Sequence, residues 1–510
     1  MSDELMDLSE SVKISRVTRR MLLKRVAFFG LSGAALNAFL GACGAVSTST
    51  EVAPTVKAAA TTAATIVSGS GGAPTAAAVA TQAASAAPGG IVATAQAAAT
   101  NPAGAATSVA SAVGGVASPV VSGSPQFSGT FDGTILFGAP ISLTGSTASE
   151  GKLTQDGYEL WKETYNSAGG VTVAGKRYKI ETKYYDDESN GPKSATLATQ
   201  LIKQDKIQFL LGPYGTTSTL QVSTVAEQNK IPMIEGNGAA ESIFNQGYTY
   251  TFAVLSPAKN YLAGCVDLAL LQSPKPTTCA ILSADDPFSV EVADAAKTYA
   301  EKQGFQVVYY QKYPNASTDL RAVLTETKGK NPDFLLNSGH KAEAVAIMQQ
   351  AKELGFSPKG FAFSVGPSIP DFQTTLKADA DYVFGGTQWT PALKYQGNDL
   401  FKTPGAYNDV YKARFGYEPA YQSADGTACG VAFVKAIEAA GTLDPAKVRD
   451  AIAKLDVITF YGQIKFDERG INTFKPMAVE QWQKGQKVTV FPQDVANGKA
   501  IWPTPAWNAR

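Results

Sequence analysis

From Thr134 to Ser364 short apolar runs alternate with stretches of helical periodicity, and this alternation restricts the fold more than any other feature of the chain. Thr134-Ile135-Leu136-Phe137 reads as a buried strand that ends in the Gly138-Ala139-Pro140 turn. The spacing then predicts a helix from about Gly151 to Asn166 with a Gly169-Gly170 stop, a strand from Tyr178 to Tyr185 and a helix from Pro192 to Lys206. Tyr248 to Leu255 reads as a strand and Pro257 to Leu271 as a helix. A second series follows: strand Thr278 to Leu282, helix Ser289 to Gln303, strand Gln306 to Gln311, helix Thr318 to Lys328, strand Phe334 to Asn337, helix Ala342 to Leu354 and strand Gly360 to Ser364. Parallel strands need a crossover between them, so this pattern specifies α/β architecture with parallel sheets and helices on both faces. Two series imply two lobes. Open α/β sheets bind ligands beyond the carboxyl ends of their strands, which places a cleft between the lobes.

Leu211 to Glu241 carries two strand-to-helix turns in succession. Phe209-Leu210-Leu211 is apolar, Gly212-Pro213-Tyr214-Gly215 breaks the run, and Thr216-Thr217-Ser218-Thr219 supplies N-cap candidates for a helix through Asn229. The free N–H groups and positive dipole end of such a helix suit a carboxylate, and the hydroxyls add donors without charge. Ile231-Pro232-Met233-Ile234 is the next strand, and Glu235-Gly236-Asn237-Gly238-Ala239-Ala240 is a loop of small residues that a ligand can approach closely. The same residues also suit ordinary βα turns, and spacing alone leaves the choice open. After Phe384 come predicted helices at Pro404 to Phe415, Ala424 to Ala440 and Pro445 to Leu455. A hairpin of Met477 to Trp482 and Lys487 to Val490 is expected to turn at Lys484-Gly485.

Composition excludes several function classes. The 44 basic and 44 acidic side chains cancel, so nucleic acid is not an expected partner. One histidine, His340, and four scattered cysteines cannot assemble a zinc site or a His-based triad, and no nucleophile stands at a recognisable spacing from a base. Neither enzymatic activity nor a cofactor or metal is expected. Cys265, Cys279 and Cys429 read as core thiols.

Ahead of the body, Thr18-Arg19-Arg20-Met21-Leu22-Leu23-Lys24 resembles a twin-arginine export signal, and Leu40-Gly41-Ala42-Cys43, at the end of an apolar segment, resembles a bacterial lipobox. The resemblance implies that residues 1–43 are a signal peptide and that Cys43 is lipidated as the mature N-terminus. Residues 44–130 are an Ala/Thr/Ser/Gly/Pro linker that cannot bury a core. As a random coil such a segment reaches about 50 Å, enough to hold a domain clear of a surface.

Within the body, Gly138-Ala139-Pro140-Ile141-Ser142-Leu143-Thr144-Gly145, Tyr185-Asp186-Asp187-Glu188, Leu211-Gly212-Pro213-Tyr214, Ile231-Pro232-Met233-Ile234 and Gly462-Gln463-Ile464-Lys465-Phe466-Asp467-Glu468-Arg469-Gly470 together resemble the type I periplasmic binding proteins of ABC importers, in the branched-chain amino-acid-binding group. The resemblance implies two Rossmann-like lobes, 131–254 with 385–459 and 255–384 with 460–510. Three crossover hinge segments would join them, near Ala253 to Pro257, Phe384 to Gly386 and Thr459 to Gln463. It also implies a site. The positions that hold a ligand's carboxylate fall on Thr216, with Thr217 beside it, and on Asn237, Gly238 and Ala239, the last without a hydroxyl. Phe288 takes the place of an aromatic cover from the second lobe, His340 that of a ligand-contacting tyrosine, and Tyr214 borders them. The acid that pairs with an α-ammonium falls near Val365, which cannot do so; Glu150, Asp285 and Asp425 are candidates to replace it.

The implied role is extracytoplasmic: a monomer, held at the membrane by its lipid, captures an amino acid or related carboxylate or amide and delivers it to an ABC permease. A solute-sensing receptor of the same fold is the alternative. No output domain follows Arg510, which favours import.

Overall fold

The computed structural model describes residues 126–510. The export signal, Cys43 and all but the end of the linker lie outside the described residues.

The first sheet is built on β1 (Gly133–Ile141), whose second half is buried on both faces, as the centre of a parallel sheet requires. β1 pairs in parallel with β3 (Lys176–Asp186) on one side and β4 (Phe209–Leu211) on the other. β5 (Met233–Glu235) and β6 (Thr251–Ala253) extend the sheet in parallel, and β2 (Val171–Val173) closes the far edge antiparallel to β3. In the second sheet β7 (Thr278–Ala284), β8 (Gln306–Tyr313), β9 (Phe334–Ser338), β10 (Gly360–Phe363) and β11 (Phe384–Thr387) are parallel. A separate hairpin, β12 (Asp456–Thr459) with β13 (Gly462–Lys465), precedes β14 (Ala478–Gln483) and β15 (Gln486–Phe491), which finish the second sheet antiparallel. The strand orders are β2-β3-β1-β4-β5-β6 and β15-β14-β11-β10-β9-β7-β8. These are the two Rossmann-like sheets that the alternation predicts.

Departures from the predicted elements have local causes. The strand expected over Tyr248 to Leu255 shrinks to Thr251–Ala253, and the helix expected after it divides into a 3-10 turn, Ala258–Asn260, and a helix, Ala263–Leu270. There the chain leaves the sheet: Val254 N–H still bonds Glu235 O, but Ser256 N–H turns to the Gln388 side chain. β11 contains Gly385 and Gly386, poor strand formers by propensity. Its backbone nevertheless passes so close to Tyr261 that a Cβ at Gly386 would lie 2.1 Å from the Tyr261 carbonyl oxygen. Because β11 belongs to the second sheet, we place the middle crossing after it, at 388–390 rather than at Phe384 to Gly386. Thr459 to Gln463 forms the turn of the β12–β13 hairpin. We therefore place the third crossing at 466–477, where Ile471 bridges to Ala253.

The helix Ala148–Ser167 packs on Tyr421–Ala440, which is far away in sequence. A Cβ at Gly157 would lie 2.1 Å from the Ser423 carbonyl, and one at Gly430 would lie 2.1 Å from the Trp161 indole. Hydroxyls complete the seam, Ser423 donating to Leu153 O at 2.9 Å and Thr427 to Gly157 O at 2.8 Å. Below it Phe137, Trp161, Phe209 and Phe433 interlock with ring centroids 5.0 to 5.4 Å apart. All three cysteines of the body are buried free thiols, and burial pushes Cys265 and Cys279 up to about 12. Among the described residues no helix is long and apolar enough to cross a membrane.

Candidate functional site

β4 and β5 are neighbours, so the turns after them emerge at the same end of the first sheet. Gly215, at φ +83°, reverses the chain and caps the helix Thr216–Asn229; no side chain caps it. The hydroxyls of Thr216 to Thr219 thus lie within the first turn rather than at the cap the sequence suggests. Gly215 N–H bonds Asn237 O at 3.2 Å and ties the two turns together. Thr216 is buried, and its Oγ1 accepts the Ala240 N–H at 3.3 Å, which leaves its own proton to donate. Thr217 is exposed and lies against Gly191, away from the aromatic residues of the cleft. At Gly238 a Cβ would lie 2.6 Å from Thr219 Oγ1, so glycine is required for the loop to pack on the helix. Ala239 is buried, with its carbonyl bonded by Ala258 N–H at 2.8 Å.

The backbone N–H groups of Asn237 and Gly238 both donate to Glu235 Oε2, at 2.8 and 2.6 Å. What Asn237 presents is its amide, buried and with neither polar atom partnered among the described residues.

From the second lobe, Asp286 caps the helix Pro287–Lys302 by accepting the N–H groups of Phe288 and Ser289 through Oδ1. Its Oδ2 accepts the Ser289 hydroxyl at 2.6 Å and lies 3.6 Å from His340 Nε2. The other ring nitrogen, His340 Nδ1, is 3.3 Å from the Tyr214 hydroxyl of the first lobe. Burial presses the His340 pKa down, but the Asp286 carboxylate outweighs it, aided by Glu343 and Glu150, and raises it to about 9. Asp286 is correspondingly lowered: burial acts against it, and His340 and Ser289 overcome burial. The Phe288 ring lies tilted 5.8 Å from His340 and edge-on 5.0 Å from Tyr261, whose ring in turn lies 6.4 Å from Tyr421.

Glu150, fully buried, accepts the Lys341 N–H at 3.1 Å, a second bond from lobe to lobe. Thr216, Asn237, Ala239, Tyr214, Phe288, His340 and Glu150 thus belong to the facing ends of the two sheets, and two of their contacts hold the lobes together. Asp285 does not join them; it points outward, 3.8 Å from Lys312 Nζ, with its side chain 65% exposed. Asp425 is buried on the Tyr421–Ala440 helix against the second turn, where a Cβ at Gly236 would lie 2.9 Å from its Cβ. Sequence reasoning passed over Glu235, Tyr261, Gln422, Tyr461 and Lys475. The available signals were a carboxylate ending the apolar strand Met233-Ile234-Glu235 and a lone lysine beside Phe474 and Pro476. Among the described residues no group of His, Cys, Asp and Glu is placed to hold a metal ion.

Two lobes of parallel strands, clasped over a cleft at their carboxyl ends, define a solute-binding fold, and the chain belongs to the periplasmic binding protein family, whose profile matches residues 134–487. The family comprises solute-binding proteins rather than enzymes. Its particular relatives include Leu/Ile/Val-binding protein homolog 8 of Brucella abortus, 26% identical over 380 residues that span 72% of this chain and 92% of the relative. Homolog 7 of the same organism is 24% identical over 376 residues, or 71% and 90% of the two chains. Among solved structures, a leucine-binding protein of Thermotoga maritima shares the fold at a TM-score of 0.63 and 22% identity, covering 70% of this chain and 98% of that one. A solute-binding protein of R. palustris in complex with benzoate does so at 0.59 and 16%, covering 70% and 95%.

Proposed function

We propose that the protein is the extracytoplasmic, lipid-anchored substrate-binding component of an ABC importer, and that it captures a small carboxylate-bearing solute in the cleft and presents it to a permease. The observation that carries this reading is the Thr216 hydroxyl. It is buried at a helix N-terminus, satisfied as an acceptor by Ala240 N–H and left with a proton to give. Phe288 and Tyr261 supply an apolar wall for the rest of the solute. Closure follows from residues of both lobes touching one ligand, because a ligand shifts the open and closed populations only through its greater affinity for the closed one. The names of the relatives and neighbours, which include binders of leucine and of benzoate, support a carboxylate as the shared group.

A thermal-shift panel on the full chain, stripped of carried-over ligand by unfolding and refolding, tests this. A true ligand at about 100 times its Kd adds about 2.7 kcal/mol of stability. Carboxylates should raise the melting temperature and their uncharged amide or alcohol counterparts should not. Equal effects from both would sink the carboxylate reading. Membrane attachment is tested separately: Cys43→Ser should move the protein from the membrane to the soluble fraction.

A further inference from the structure

Glu235, Asp425 and Lys475 converge beneath the crossings from the first sheet, the Tyr421–Ala440 helix and the third crossing, in a group of buried polar side chains that the clasp between the lobes does not use. Asp425 is fully buried, and neither of its oxygens has a hydrogen-bond partner among the described residues. The same holds for Glu235 Oε1, for both amide atoms of Gln422 and for the Tyr461 hydroxyl. Tyr461 stands beside Asp425 without closing a hydrogen bond to it. The Lys475 ammonium is committed elsewhere, to the Gln388 carbonyl at 2.5 Å and the face of the Tyr461 ring at 4.2 Å. Among these unpartnered atoms the carboxyl and amide oxygens outnumber the amide nitrogen and the hydroxyl. Buried acceptors without donors are costly, and folded proteins keep them only where something further supplies the donors.

This group adjoins the cleft. Glu235 holds the turn that carries Asn237, Gly236 lies against Asp425, and Gln422 follows Tyr421, whose ring faces Tyr261 and, through it, Phe288.

We propose that these residues form a second subsite, continuous with the cleft, which takes a cationic nitrogen, ammonium or guanidinium, at the end of the solute remote from its carboxylate, with Asp425 as principal acceptor. The inference rests on the carboxylate reading above and narrows it to ω-amino or ω-guanidino carboxylates. The titration of the group agrees with the geometry. Burial raises Asp425 well above its ordinary range against the pull of Tyr461 and Lys475, and raises Glu235 to about 8 against its N–H bonds from Gly238 and Asn237. Burial lowers Lys475 to about 7 against Asp425. Burial thus favours the protonated form of Asp425 and an entering cation favours the ionised one, so that any proton it held leaves to solvent and the buried charge stays balanced.

The test compares δ-aminovalerate with hexanoate, equal in length but ending in ammonium or methyl, and with pentylamine, which lacks the carboxylate, by calorimetry on the full chain. The amino acid should bind about tenfold or more tightly than hexanoate, and buffers of different ionisation enthalpy should reveal proton release on its binding. Asp425→Asn should bring the two affinities together and abolish the proton release. Should that variant fail to fold by its melting curve, Glu235→Gln should reduce the same preference. If hexanoate binds as well as δ-aminovalerate, the subsite is overturned and the carboxylate reading stands. Binding of pentylamine alone would leave the subsite and remove the carboxylate reading, and binding of none of the three overturns both.

Discussion

At the scale of single residues, two side chains carry separable tests. Thr216→Val removes the hydroxyl that we assign to the solute's carboxylate, and a hydrogen bond to a charged group is worth about 1.5 to 3 kcal/mol. Affinity for a carboxylate should fall roughly 10- to 100-fold, while Thr216→Ser should retain it. Equal losses in both would assign Thr216 to packing alone. His340 carries the second test, through its pairing with Asp286. The imidazole takes up its proton more readily in the folded chain, with a pKa near 9, than in the unfolded chain, where about 6.5 is ordinary. Its contribution to stability is therefore complete below pH ~6.5 and disappears as pH rises through about 9. Asp286 has the opposite sense: its contribution is present above the ordinary carboxylate range and is lost as pH falls through its lowered value. Glu343, Glu150 and Tyr214 face the same ring, so His340→Gln in ligand-free protein should cost on the order of 2 to 3 kcal/mol at about pH 6 and much less at about pH 10. Denaturant melts across that range measure the difference, and a pH-independent cost would exclude the ion pair.

At the scale of elements, the seam between Ala148–Ser167 and Tyr421–Ala440 depends on glycine. Gly157→Ala should cost about 3 kcal/mol, read as a lower denaturant midpoint at unchanged slope, because the Ser423 carbonyl stands where the methyl would go. The same seam shows what was legible in the sequence. Both helices were readable from their periodicity, as was nearly every strand whose residues alternate or run apolar. Their partnership was not, because nothing local to Gly157 or Gly430 marks the helix that will lie on it. β11 was missed as a strand for the converse reason, since its two glycines argue against a strand and only its neighbours make it one. In the cleft, Thr216 stood out by its position after a turn, which is a local property, whereas Phe288 and His340 were named through the family resemblance. Thr217 stood in an equally suitable place and points elsewhere, and Glu235 was passed over because its hydrogen bonds to Asn237 and Gly238 arise only from the path of the loop. Asp425 was named as a spare anion, but its unsatisfied oxygens are a fact of packing that no spacing encodes.

At the scale of the whole molecule, the lobes are joined by covalent crossings and clasped at the cleft by Tyr214 with His340 and Glu150 with the Lys341 N–H, and beside it by the Glu241 N–H on the Glu291 carboxylate. Tyr214→Phe removes one of them and little volume. Small-angle scattering should show the ligand-free variant more extended than the parent, the liganded forms should coincide, and solute affinity should fall by about fivefold, equivalent to about 1 kcal/mol. Identical scattering of the two free proteins would remove Tyr214 from the clasp.

The hydrogen bond from Ser423 to Leu153 spans 270 residues of chain, and its consequence lies in how the protein is born. When a ribosome has made the chain only as far as residue 400, the helix Ala148–Ser167 has emerged but the helix that covers it has not, and Trp161 still lacks the Phe433 side of its cluster. The lobe that begins first is finished only after the chain has left it, built most of the other and come back. Completion of the first lobe thus waits on synthesis of most of the second, and contacts this remote are slow to form. A message truncated before Tyr421 yields no half-sized receptor, only a chain whose first sheet waits for a cover that never arrives.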